Sequence, residues 1–209
     1  MKEPQPLGDS ALLFAFDEEK DPYTAAQRVV AHLVAHPPVG VRDAAAAYTK
    51  VAVYFDPLLT EPEQVAAAVR IAVRAAQGRS MPDAPVFEIP VVYDGADLDH
   101  VTTATGLARD EVVRLHAGRE YRAHAVGFVP GFAYLGDLDE QLRIARRKTP
   151  RTRVPAGAVA IAGAHTAVYP FATPGGWHLI GRTKLQMFDA DRDPPALLQV
   201  GTVVRFVPA

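Results

Sequence analysis

The chain contains no cysteine, so disulfides, thiolate metal sites and cysteine nucleophiles are excluded together. No apolar run approaches the roughly 20 residues that a membrane-spanning helix needs. An excess of one charge sign is lacking too. The 22 Lys and Arg against 24 Asp and Glu give a formal net charge of −2, which offers no overall attraction to nucleic acid or an anionic membrane. An anion site must then be local. The N-terminal MKEPQPLGDS has acid and proline where a secretory signal has a basic region, and ALLFAF is too short for the apolar segment that would follow. A cytoplasmic location is expected. No G-x-x-x-x-G-K-[ST] phosphate loop, G-x-S-x-G elbow or H-E-x-x-H pair occurs, and no metal is expected.

What the chain does have is a change of period along its length. In the first part, ALLFAF reads as a strand and DPYTAAQRVVAHLVAH as a helix, with Asp21 as cap, Pro22 at the first position and Val29, Val30, Leu33 and Val34 at helical spacing. Strands are expected over 42–48 and 50–55. A second helix follows TEPE, where Thr60 and Glu63 have capping-box spacing; its apolar face is Val65, Val69, Ala72, Val73 and Ala76, and Gly78 stops it. With PVFEIPVVY (85–93) as a last strand, the order βαββαβ is that of a ferredoxin-like α+β sandwich. QGRSMPDAP (77–85) is the best linker by its proline, glycine and polar content. After one or two short helices in 97–116, the helical period disappears. YRAHAVGF, AVAIAG, TAVYPF, WHLIG, LQMFD and VVRFVP alternate with glycine and proline, as the strands of a β-barrel or sandwich do. Two domains are predicted, 1–84 and 85–209.

Three segments of the second half carry chemistry. VGFVPGFAYLG (126–136) is apolar yet broken by three glycines and a proline, which points to close backbone approach and to an apolar interface. RIARRKTPRTRVPAG (143–157) gathers Arg143, Arg146, Arg147, Lys148, Arg151 and Arg153, either as a solvated loop or as a convergent site for carboxylate or phosphate. TPGGWHLIGRT (173–183) is either a tight hairpin or an anion nest, with Gly175 and Gly176 offering backbone N–H groups, Trp177 as an apolar wall and Arg182 as a charge partner. Of the seven histidines, His32, His36 and His116 lie on helix candidates and are expected at a surface or interface. His124, His165 and His178 lie near the glycine motifs and suit hydrogen bonding or proton transfer.

GFVPGFAYLG, TPRTRVPAGAVAIAG, TAVYPFATPGGWHLIGRT and VGTVVRF follow one another through nearly all of 121–206. In them the chain resembles a family that includes the B-type subunits of 5-oxoprolinase, proteins named allophanate hydrolase subunit 1 and a sporulation-kinase inhibitor of bacilli. LGDSALL, AYTKVAVYFDP and GLARDEVVRLH match more loosely. The resemblance implies a ferredoxin-like domain joined to a cyclophilin-like β-barrel. It also implies a homologous barrel subunit and a third subunit as partners, with ATP consumed as 5-oxo-L-proline opens to L-glutamate. Two alternatives come with it: a non-catalytic inhibitor of a histidine kinase, or a subunit that hydrolyses a urea-derived amide. The chain departs from the family pattern at Ala145, Ala158, His165 and Lys184, where proline, serine, glutamine and proline are usual.

A lactam carbonyl is a poor electrophile until its oxygen is phosphorylated, so the chemistry needs cations for phosphate and for the substrate carboxylate, and a base near the carbonyl. On this reading Arg146, Arg147, Arg151 and Arg182 bind anions, His124 and His165 transfer protons or polarise, Gly175 and Gly176 donate from backbone, and Tyr169 and Trp177 shape the pocket. A neighbouring arginine is expected to keep His165 neutral.

Overall fold

The computed structural model describes residues 3–76 and 85–209. The predicted linker, Pro85 excepted, and the stop at Gly78 lie outside the described residues. The chain forms two compact units, Met1–Asp83 and Ala84–Ala209.

The first unit contains β1 Gln5–Pro6, β2 Ala11–Ala15, α1 Pro22–Ala35, β3 Val41–Ala47, β4 Lys50–Phe55 and α2 Pro62–Ala76. Its antiparallel sheet runs β1-β2-β4-β3. Alternation along β4 buries Val51, Val53 and Phe55, and these meet Val29 and Leu33 of α1 and Val65, Val69 and Ala72 of α2 in one core. Asp21 caps α1 as its sequence predicts, accepting from Thr24 N at 3.1 Å. At α2 the cap is displaced by one residue: Gln64 Oε1, not Glu63, reaches back to accept from Glu61 N and Thr60 Oγ1, each at 3.0 Å. The expected last strand of the βαββαβ order does not join this sheet. The two-residue β1 pairs with β2 at that edge, and the strand in 85–93 belongs to the second unit.

The second unit contains β5 Phe87–Val91, α3 Leu98–Thr105, α4 Arg109–Ala117, β6 Glu120–Val126, β7 Ala133–Gly136, a 3-10 turn at Glu140–Leu142, β8 Arg151–Val154, β9 Ala158–Ala162, β10 His165–Val168, β11 Thr173–Gly175, β12 His178–Arg182 and β13 Val203–Pro208. Seven strands form one sheet in the order β12-β9-β10-β7-β6-β13-β5, in which only β13 and β5 are parallel. Its two edges meet through Val92 and Arg182, which exchange N–H···O bonds of 2.9 Å, so the sheet curls into a nearly closed barrel. β8 and β11 form a separate ribbon. The barrel core takes Val159, Ile161, Val168 and Ile180 from the strands and Leu98, Val101 and Val112 from the helices. The opposite faces of β9, β10 and β12 carry Ala158, Ala160, Ala162, Ala167 and Leu179, which pack under Phe132, Tyr169 and Trp177. LQMFD forms no strand; there Phe188 alone bridges to Ala196.

His116 is not a surface residue. It is fully buried, its Nδ1 2.7 Å from the Tyr93 hydroxyl and its Nε2 2.8 Å from Thr166 Oγ1. The glycine-broken stretch also resolves differently from expectation. Phe132, Ala133 and Leu135 are core residues, and only Val126, Phe128 and Pro130 remain exposed. The close approaches are to the chain itself. A Cβ on Gly131, whose φ is +79°, would stand 2.7 Å from Phe188 Cβ, and one on Gly136 would stand 2.5 Å from the His124 ring. No described helix is long and apolar enough to cross a membrane.

Candidate active site

Gly136 ends β7, and the absence of a side chain there makes room for the His124 imidazole, with the His165 ring close by. A Cβ at this position would meet His124 Cδ2 at 2.5 Å and Nε2 at 2.7 Å, with His165 Cδ2 at 3.7 Å. His124 comes from β6 and His165 from the start of β10, so two of the predicted proton-transfer residues share one corner. Asp137 adjoins them, its Oδ1 3.9 Å from His124 Nε2. Burial holds the His124 ring below the ordinary imidazole range, against the pull of Asp137 and with help from His165. His165 is lowered as well, first by burial, against Asp137, and further by the charges of Arg146 and Arg143. The arginine effect expected from sequence is thus secondary to desolvation. Both rings are neutral at pH 7, able to donate from one nitrogen and accept at the other.

Tyr134 links this corner to an aromatic floor. Its ring stands edge-on to His165 at 6.3 Å and to Trp177 at 5.9 Å, and Phe132 packs edge-on against Tyr134, Tyr169 and Trp177 at 5.0–5.6 Å. Arg146 lies over the Trp177 ring, Cζ 5.9 Å from its centroid. Among the described residues it has no carboxylate partner, so it is a free cation at the margin of the floor.

The next two arginines are held differently. Arg147 Nη1 and Arg151 Nη2 both donate to Asp97 Oδ1, at 2.8 and 2.7 Å, while Asp97 Oδ2 accepts from Leu179 N at 2.7 Å. Asp97 is 4% exposed. Burial alone would raise its pKa, but the hydrogen bonds from Arg151 and Leu179 and the charges of both arginines outweigh it and hold the carboxyl below its usual range. The arginine run is therefore no solvated loop at these positions. Beside the pair, His178 Nε2 donates to Ala145 O at 2.9 Å, and its ring stacks on His100 at 5.0 Å.

The glycine pair is not a nest. Gly175 belongs to β11, a Cβ there would collide with the Tyr169 hydroxyl, and the Gly176 carbonyl accepts from Arg147 N at 2.8 Å. Neither glycine has the positive φ that a nest alternates with right-handed residues. Tyr169 is itself buried at the floor's edge. Arg182 lies apart from the group: four residues along β12 from His178, about 13 Å at strand rise, its Nε and Nη2 close on Asp94 at 2.8 Å.

The structure thus gathers His124, His165, Arg146, Arg147, Arg151, Tyr169 and Trp177, and leaves Arg182 outside. Asp97, Asp137, Tyr134 and His100 were missed. Only Asp97 had a sequence signal, an acidic residue just ahead of a helix, and that signal reads as a cap. Among the described residues no three His, Asp or Glu side chains converge as a metal site.

A family model described as carboxyltransferase domain, subdomain C and D, matches residues 3–198. A protein of Escherichia coli O157:H7, named as the B-type subunit of 5-oxoprolinase, is 55% identical over 130 residues, which are 61% of this chain and 60% of that protein. Its namesake in Bacillus subtilis (strain 168) is 34% identical over 216 residues, 96% of this chain and 90% of that one. The crystal structure of TTHA0988 superposes with a TM-score of 0.85 at 36% identity; the match covers 95% of this chain and 39% of that much longer one.

Proposed function

The chain belongs to the carboxyltransferase domain, subdomain C and D, family, and on that premise we propose that it is the B-type subunit of an ATP-dependent 5-oxoprolinase, acting with a homologous barrel subunit and a third subunit to open 5-oxo-L-proline to L-glutamate. The observation that carries the reading is the convergence of His124, His165 and Asp137 with the free cation Arg146 on one aromatic floor. Relatives that bear the name of this activity supply the substrate.

In this role Tyr134, the half-buried ring of the floor, packs against the small ring and keeps water from its face, held edge-on from below by the buried Phe132 and Trp177. The arginines draw its carboxylate to one side. One neutral imidazole of the His124 and His165 pair takes a proton from the water that attacks the ring carbonyl carbon, and a proton returns to the ring nitrogen as the C–N bond breaks. Asp137 steadies the imidazolium that forms in between.

ATP would supply the activation of the carbonyl and end as ADP and inorganic phosphate, and the described residues of this chain lack the usual features of a triphosphate site. No phosphate loop is present, the glycine pair offers no nest, and Asp97 cancels one of the two charges nearest to it. On this reading the nucleotide is held with the partner subunits. The test is an ATP-dependent glutamate-release assay on 5-oxo-L-proline with all three subunits, repeated with each left out. Turnover without this chain, or none with all three, overturns the reading.

A further inference from the structure

Asp97 occupies the N-cap of α3, a position where an aspartate ordinarily accepts from the backbone N–H groups of the first turn. Here it makes no such bond. Its carboxylate turns to the Arg147 and Arg151 guanidinium groups and to Leu179 N, joining the start of α3, the arginine loop and β12. The two guanidinium groups meet one oxygen and so stand side by side. Neither is used up: Arg147 Nε and Arg151 Nη1 are buried without an acceptor from the protein, and the two side chains remain 33% and 23% exposed. Arg147 N is also fixed, on the Gly176 carbonyl beside Trp177.

The charges add up in a way that selects a ligand. Within the triad itself two arginines and one aspartate leave one positive charge, and the further cation, Arg146, lies over the Trp177 ring rather than on Asp97. His178 adds none when neutral, and its Nδ1, buried and without a partner, is then an acceptor rather than a donor. A phosphate dianion would be undercompensated here, whereas a single carboxylate matches the charge and can take parallel N–H bonds from two forks.

We infer that the Arg147–Asp97–Arg151 triad is the seat of the substrate's carboxylate group, with Asp97 as the positioning residue that sets the two arginines side by side and cancels one of their charges. Naming 5-oxo-L-proline as the ligand rests on the function proposed above; the carboxylate chemistry of the seat does not.

The test is calorimetric titration of the full chain, alone and with its partner subunits, with 5-oxo-L-proline and with its neutral carboxamide. The wild type is expected to bind the acid at least tenfold more tightly than the amide. Arg151→Gln and Asp97→Asn are expected to cut that preference to less than threefold. In the complex, KM for the acid should rise more than tenfold in both variants while kcat falls less than threefold. Circular dichroism checks folding, and if Asp97→Asn does not fold, Arg151→Gln decides alone. Equal binding of acid and amide by the wild type, no binding of the acid in either setting, or an acid preference that survives in the folded variants would overturn the seat. A complex that binds the acid with the expected preference but releases no glutamate leaves the seat standing and overturns the reaction. Turnover without acid preference does the reverse.

Discussion

Replacement of His116 by glutamine should change how the stability of the barrel depends on pH. The side chain is enclosed between the Tyr93 hydroxyl and Thr166 Oγ1. Thr166 gives its own hydroxyl proton to Ala160 O at 3.1 Å, so its oxygen accepts from His116 Nε2–H, and His116 Nδ1 accepts from Tyr93. Every proton in this relay is assigned only if the ring is neutral. An imidazolium would carry a proton on Nδ1 that faces a hydroxyl already oriented toward it, in a fully buried site. Burial accordingly lowers the pKa from 6.5 to about 3. The folded pKa is depressed, so the folded state binds fewer protons than the unfolded chain between those two values. The stability that comes from burying a neutral ring is fully present above pH 6.5 and is lost as pH falls toward 3. At about 1.36 kcal/mol per unit, the loss is about 2 kcal/mol at pH 5 and about 5 kcal/mol at the acid limit. Urea unfolding of wild type and His116→Gln from pH 4 to 8 isolates this contribution, since other titrating groups cancel in the difference. The variant should be less stable by about 1–3 kcal/mol at pH 7.5, and the gap should narrow steadily below pH 6.5. A gap that stays constant down to pH 4.5 would refute the assigned protons.

Gly136→Ala should lower stability by about 1–3 kcal/mol by driving a methyl into the His124 ring, and it should abolish turnover in the reconstituted complex; thermal melts and glutamate release measure the two effects. For His165→Gln, the pH profile of turnover should lose its acidic limb, and in the wild type that limb should lie below the 6.5 of an unperturbed histidine because burial depresses the ring; superimposable profiles would make His165 a bystander. Arg182→Ala should leave both melting temperature and turnover within experimental scatter, because its side chain is exposed and paired with Asp94 away from the floor; a loss of turnover would place it in the site after all.

The helices of the first unit were legible because their apolar residues repeat at 3.6 and each is opened by a cap, and Val29, Leu33, Val65 and Val69 lie in the core as the spacing demands. The barrel was legible as a class, from short apolar runs between turns. Its pairing was not. β5 finds its partners in β13 and, through Val92, in β12, and nothing local distinguishes it from the missing strand of a ferredoxin-like sheet. The same limit applies to the site. Histidines, arginines and the tryptophan stood out by residue type, but Asp97 meets arginines 50 and 54 residues later, and His116 meets Thr166 across 50. Helix patterning places such residues at a cap or on a surface because it contains no term for a distant partner. Gly175 and Gly176 failed for the opposite reason. The local motif suits a nest, but Tyr169 and Arg147 claim the space and the carbonyl.

The seam of the barrel also sets an order of events during synthesis. β5, Phe87–Val91, has its parallel partner in Val203–Pro208, which the ribosome makes roughly a hundred residues later. At about 5–20 residues per second, that first strand waits on the order of ten seconds with its ladder unpaired. Pairing across so long a separation is slow even once both strands exist. The first unit, whose strands all find partners within Gln5–Phe55, has no such wait. Nascent chains halted before residue 200 should therefore show a protease-resistant first unit and a digestible remainder, and resistance of the barrel should appear only once Val203–Pro208 has left the exit tunnel.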